Sequence, residues 1–421
     1  MLKAELKRIL KTRSTWWLTA IALVICLVAA FITINQVVKY IHHEDGSTEI
    51  IRGVSVYKEN RERYSRIKGE VNPELFATAV TAHHDLLAQF GTDYDIPPEL
   101  SQEMGIYSPV YTWIYRWFSN EHGTALTSAD ISPEQARNFS QERLHTLELA
   151  LNKKYEQKPQ VIEYVMSKEQ DEGVVFNYSY GIGSTNTYIN LGLCAFLVTL
   201  ICIIITAPIF SSDYASGADE ILRCTRRGRR CLAVTKICSS LIIDLGVFLL
   251  CFGTFLIVIF FAFGFDDITS AELLQVEFNP HKLTAIGILR TIIFSSFLTL
   301  LATCCFTLFL SSQLKSSLGV LSISMAVALL PTIIRIFGAG GSFGRGFAAA
   351  ERNILNWIRV CLPSGGVSMT GAVTDELLGL RFLWLGNFVT WSPYVLLAAA
   401  VLQIPIWFVL TVRAYNRIKH S

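Results

Sequence analysis

Six long apolar runs divide the chain, and the polar segments between them are very unequal in length. The runs cover 16–38, 187–210, 237–263, 284–310, 317–337 and 389–411. Each is close to or above the roughly 20 residues that a helix needs to cross a hydrocarbon core. Between the first two lies the polar segment 39–186, about 150 residues and enough for a domain with its own core. Its periodicity is helical. Asn72-Pro73 reads as an N-cap with proline at the first helical position, opening an apolar-periodic run to Phe90. Ser132-Pro133-Glu134-Gln135 reads as a capping box. After it Phe139, Leu144, Leu147, Leu151 and Tyr155 recur at helical intervals. The one strand-like stretch is VVFNYSY near 174–180. In the aromatic run Tyr107–Phe118, Trp113 and Trp117 stand one turn apart, a pattern for core packing or membrane-surface docking before a substrate-binding face. The outer connection 338–388 opens on GAGGSFGRG, continues with the helix-like ERNILNWIRV and breaks at Leu362-Pro363-Ser364-Gly365-Gly366. It reads as re-entrant or interfacial helices, because irregular backbone at membrane depth must be buried in protein or wetted. The expected fold is an all-α polytopic membrane protein with six transmembrane helices and a mainly helical extracellular domain.

Composition agrees with a membrane chain: 52% of residues are hydrophobic and only 17% charged, where soluble domains carry about 25%. Charge then orients the spans. Residues 1–15 form an amphipathic elbow, with Leu2, Leu6, Ile9 and Leu10 on one side and Lys3, Lys7, Arg8, Lys11 and Arg13 elsewhere. The loop 211–236 carries Arg223, Arg226, Arg227, Arg229, Arg230 and Lys236, and the tail 412–421 carries Arg413, Arg417 and Lys419. Six spans place all three clusters on one face, as the positive-inside rule requires, whereas five or seven put one on the wrong face. Both termini are therefore expected in the cytoplasm, against anionic membrane lipid. The first run is too long for a signal-peptide core and no small-residue cleavage site follows it, so it is expected to remain as a span. None of the ten cysteines lies in 38–186, so no disulfide framework is expected.

The chain has no GxxxxGK[ST], HExxH or paired CxxC pattern. The expectation is a non-enzyme with no cofactor, no metal and no nucleic-acid partner of its own. His42-His43 and His83-His84 have no acidic or cysteine partners at ligand spacing and read as ordinary surface residues. Two charges fall inside apolar runs, Asp244 in the third and Arg290 in the fourth. They lie at opposite depths and are not expected to pair. Each is a substrate-pathway candidate or a snorkelling side chain. In the polar loop, Ser211-Ser212-Asp213 reads as a helix start, with Ala218–Arg223 continuing it.

This loop resembles the inner loop of the membrane subunits of ABC-2-type ATP-binding-cassette transporters. The matching positions are Phe210-Ser211-x-Asp213, Gly217, Glu220-x-Leu222, Gly228-Arg229 and Lys236. Asp213 stands where the family commonly has Glu, and Thr225-Arg226 occupy a turn that often holds proline. Leu362-Pro363-Ser364-Gly365 is similar to the family's outer Leu-Pro turn. A large outer domain between spans one and two occurs in sodium-efflux-like and lantibiotic-immunity-like bacterial branches. The resemblance implies a plasma-membrane permease that exports a hydrophobic or amphipathic substrate, such as an antimicrobial peptide, drug or lipid. It implies a second permease chain as homo- or heterodimer, and a separate ATPase subunit holding ATP and Mg. The ATPase would dock on a coupling helix bearing Asp213, Gly217, Glu220, Arg223, Arg229 and Lys236. The alternatives are a non-transporting membrane sensor or assembly protein that binds a ligand through its outer domain, and, within transport, an ion-efflux permease.

Overall fold

A computed structural model describes residues 1–42, 47–93, 95–155, 158–170, 176–181, 185–217, 228–265, 270, 283–338, 353–369, 372–379 and 381–417. The chain begins with α1 (Leu2–Lys11), amphipathic and largely exposed, which turns at Thr12 into the first long apolar helix, α2 (Arg13–Asn35). The hydropathy reading carried that span to Val38. The structure gives Val38 to a strand, β1 (Val38–His42), paired antiparallel with β2 (Thr48–Arg52). Asn35 and Gln36 end α2, but the apolar Val37 and Val38 beyond them extend the hydropathic run past the change of period from 3.6 to 2.

Small helices then build the polar domain. They are α3 (Val54–Tyr64), α4 (Pro73–Phe90), α5 (Pro98–Met104), α6 (Ser108–Trp117), α7 (Pro133–Arg137), α8 (Phe139–Tyr155) and α9 (Pro159–Gln170). A two-stranded ladder joins β3 (Gly69–Val71) to β4 (Phe176–Tyr178) and closes the domain back to its start. Asn72 accepts a hydrogen bond from the Leu75 N–H at 2.9 Å and caps α4. Ser132 and Gln135 form the reciprocal capping box of α7. Trp113, Trp117 and Phe118 are buried with Phe76, Phe139 and Phe176, and Phe76 stacks on Phe139 at 4.5 Å between centroids. The aromatic run is core. The domain also holds a buried ion pair, Arg143 to Glu169 at 2.6 Å.

His83 departs from its surface reading. Its Nε2 sits 2.7 Å from Asp93 Oδ1 and its Nδ1 2.8 Å from Ser128 Oγ, so it clamps two loops to α4. The partners lie 10 and 45 residues away, beyond any local spacing rule.

The remaining long helices form the bundle. α10 (Thr185–Thr206) and α11 (Pro208–Ser216) are separated by a break at Ala207. Then come α12 (Gly228–Phe263), α13 (Ala285–Gln313) and α14 (Ser317–Gly338). Two short helices follow, α15 (Asn353–Cys361) and α16 (Ala372–Leu378), and an antiparallel hairpin, β5 (Phe382–Leu385) with β6 (Phe388–Trp391). The last helix is α17 (Ser392–Arg417). The sequence reading began this span at 389, whereas residues 388–391 are strand. Among the described residues six helices are long and apolar enough to cross a membrane. The fold is mainly helical and polytopic.

The bundle has two chemically distinct ends. At one, α1, α11, the start of α12 and the end of α17 meet: Tyr415 packs on Phe210 and Tyr214. At the other, the polar domain docks. The Tyr57 hydroxyl donates to the Phe263 carbonyl at 2.6 Å, and the Phe382 N–H to the Tyr155 hydroxyl at 3.3 Å. The Leu362–Gly366 turn packs among the long helices: the Thr303 hydroxyl donates to the Pro363 carbonyl at 3.0 Å, and the Ser364 hydroxyl to Val327 at 2.7 Å. A Cβ on Gly366 would stand 2.2 Å from Thr299 Oγ1, so only glycine allows this approach.

Candidate functional site

The site is built around the break in the second apolar helix. Pro208 lacks an N–H and suits the first position of a new helix, so it ends α10 and starts α11. Ser211, Ser212 and Asp213 therefore lie inside α11, not at a helix start as read from sequence. The break is held from α13. Ser311 accepts the N–H groups of Phe210 and Ser211 at 3.0 and 3.1 Å, and donates its hydroxyl to the Ala207 carbonyl at 2.7 Å. α11 stops at Gly217, whose φ of +70° is the left-handed conformation that favours glycine at a helix C-terminus.

Asp213 faces inward. Its side chain is 8% exposed, and its carboxylate is shared by two cations. Arg8 Nη1 of α1 donates to Oδ1 at 2.9 Å, and Lys236 of α12 pairs with Oδ2. Lys236 is fully buried, donates also to the Ile209 carbonyl at 3.1 Å and lies over the Phe210 ring. Arg8 is 41% exposed and also holds Glu5 at 2.8 Å. Three separate helices are thereby tied by one carboxylate. The sequence pattern singled out Asp213 and Lys236 but missed Arg8 and Glu5. The only local signal was the i, i+3 spacing of Glu5 and Arg8 on one helix.

The other docking candidates are placed less completely. Glu220 and Arg223, and with them the expected helix over Ala218–Arg223, lie outside the described residues. Arg229 falls in the first turn of α12, which begins at Gly228 rather than 237. Hydropathy marks where the apolar run begins. Helicity begins earlier, because Cys231, Leu232, Ala233, Val234 and Thr235 include no helix breaker.

The two intramembrane charges are not brought together. Arg290 lies on the exposed side of α13 near the polar-domain end. Asp244 is fully buried in α12, where its Oδ2 accepts the Thr206 hydroxyl at 3.0 Å. Thr206 Oγ1 is also 3.2 Å from Ser240 Oγ.

A second ionic cluster, unmarked in sequence, lies between α14 and α17. Arg359 of α15 and Glu376 of α16 pair at 2.8 Å with both side chains almost fully buried. Ser392 hydrogen-bonds Glu376, Arg381 approaches it at 3.6 Å, and the neighbouring Asp375 pairs with Arg335 of α14. Burial by itself would raise the Glu376 carboxyl, but the Arg359 and Arg381 guanidiniums outweigh it and hold it at about 2.

The break region ties three helices together through the Asp213 carboxylate. Residues 1–358 match the family described as ABC-2 family transporter protein. No curated protein matches the chain. The chain belongs to the ABC-2 family, and is a multi-pass membrane subunit of an ABC transporter, not itself catalytic.

Proposed function

We propose that this subunit is an export permease for a hydrophobic or amphipathic substrate, working as one of two permease chains driven by a separate ATPase. The termini and the 217–230 segment face the cytoplasm of a bacterial cell, where the ATPase docks, and residues 39–186 lie outside. ATP and Mg belong to the partner. The observation that carries this reading is the knot at Asp213. The segment 217–230 is flanked by α11 and α12, and Asp213 and Lys236 join those two helices to each other and to α1. A push on the segment therefore reaches α1, α10 and α12 together. Asp213 and Lys236 act as positioning residues behind the docking surface, which Glu220, Arg223 and Arg229 supply. The test is Glu220→Lys and Arg223→Glu in the complex reconstituted with its ATPase. Loss of most substrate-stimulated ATP hydrolysis and transport is expected, with assembly of the permease pair intact. Unchanged coupling sinks the docking assignment.

A further inference from the structure

Asp244 presents a problem of charge that the transport reading does not use. It is fully buried, and its Oδ1 has no hydrogen-bond partner. The Thr206 hydroxyl donates to its Oδ2 at 3.0 Å, and Thr206 Oγ1 lies 3.2 Å from Ser240 Oγ. Every one of these neighbours carries lone pairs and none carries positive charge. No basic side chain among the described residues pairs with Asp244; Lys236, two turns away on the same helix, is committed to Asp213. An unpaired carboxylate in a low-dielectric interior costs several kcal/mol even after relaxation, so the arrangement calls for a compensating charge.

The backbone adds to the demand. Thr206 is the last residue of α10, so Asp244 touches the C-terminal, electronegative end of a helix. Pro208 has no N–H to give to the Ile204 carbonyl, and the Phe210 N–H goes to Ser311. The end of α10 therefore lacks the donor that position 208 would otherwise supply. An interrupted membrane helix whose C-terminal end adjoins a buried acid is a cation-binding arrangement.

We propose that Asp244, Thr206 and Ser240, with the broken end of α10, bind a monovalent cation. One carboxylate balances one positive charge. The donors nearest the charge are carboxylate and hydroxyl oxygens, which suit an alkali cation. No group of three His, Cys, Asp or Glu among the described residues has the arrangement to hold a metal ion, which excludes a multivalent site of that kind. The ion sits beside the break that positions α11, so its binding stiffens the helix leading to Asp213.

The test uses the full chain in lipid nanodiscs without any ATPase, so its outcome is independent of the docking proposal. Thermal unfolding is followed while sodium, potassium or lithium replaces N-methylglucamine at constant ionic strength. The wild-type midpoint rises saturably with at least one alkali cation, and Asp244→Asn abolishes the response. Ser240→Ala and Thr206→Val, which keep the acid, raise the half-saturating concentration by about tenfold and carry the test should Asp244→Asn not fold. A midpoint that is the same in every cation overturns the proposal. So does a midpoint that responds to pH alone, which assigns the compensating charge to a proton. A response retained in Asp244→Asn overturns it as well.

Discussion

Two ionic clusters hold this protein, one at each end of the bundle, and they are built for different purposes. The Asp213 cluster joins two consecutive helices to the distant first helix, and one of its cations, Arg8, is 41% exposed. The Glu376 cluster is drawn largely from the connection between the last two spans, and both members of its central pair are sealed from solvent. A sealed pair is rigid, because breaking it strands a charge in low dielectric. A half-open one can exchange a partner for water at small cost. The contrast is between a pair that fixes α15 and α16 against the bundle and a cluster in which only Arg8 is open to water, as the proposed coupling role of Asp213 would need.

Four measurements probe that contrast. Glu376→Ala leaves Arg359 buried and unpaired and is expected to have the largest effect, about 3–5 kcal/mol of stability, read as a fall in the thermal midpoint in detergent. Unperturbed folding would place the pair on a wetter surface than its burial indicates. Acid approaches the same loss gradually. Because the folded carboxyl is held at about 2, its stabilising contribution is complete above the ordinary Glu value near 4.3 and fades as pH falls towards 2. Glu376→Gln should flatten that part of a stability-versus-pH profile, and an unchanged profile counts against the assignment. Asp213→Ala comes next, at about 3 kcal/mol, since it strands Lys236 but leaves Arg8 free to reach water. Arg8→Ala is expected to be the mildest, below about 1 kcal/mol, because Lys236 still pairs with Asp213. If Arg8→Ala equals Asp213→Ala, the half-open joint is in fact a second sealed lock.

Local features were legible in the sequence. The Asn72-Pro73 cap and the Ser132–Gln135 box form between residues three apart, so their chemistry is written in adjacent letters. The number of apolar helices was legible because each run is long and uninterrupted. Helix ends were less so. Hydropathy missed the first turns of α12 and the last of α17, since polar helix formers extend a helix beyond its apolar run. The hairpins β1–β2 and β5–β6 were missed because each adjoins an apolar helix and shares its residue types. Of the candidate site, the types and spacing around Asp213 were visible, but its facing was not. A docking surface and a buried knot use the same residues.

The amino-acid sequence alone determined the solvent each segment prefers: six apolar spans, one large polar domain, basic ends, and no nucleotide-binding loop. Those properties follow from transfer free energies summed over neighbouring residues, which need no fold. Only the tertiary structure decided which charges meet. Arg8 and Asp213 are 205 residues apart, and Arg359 and Glu376 belong to separate helices. The value of each pair is set by the local dielectric and by a separation of a few ångströms. Neither exists until the helices have packed, and it is that packing which leaves Asp244 in the bundle without a positive partner among the described residues.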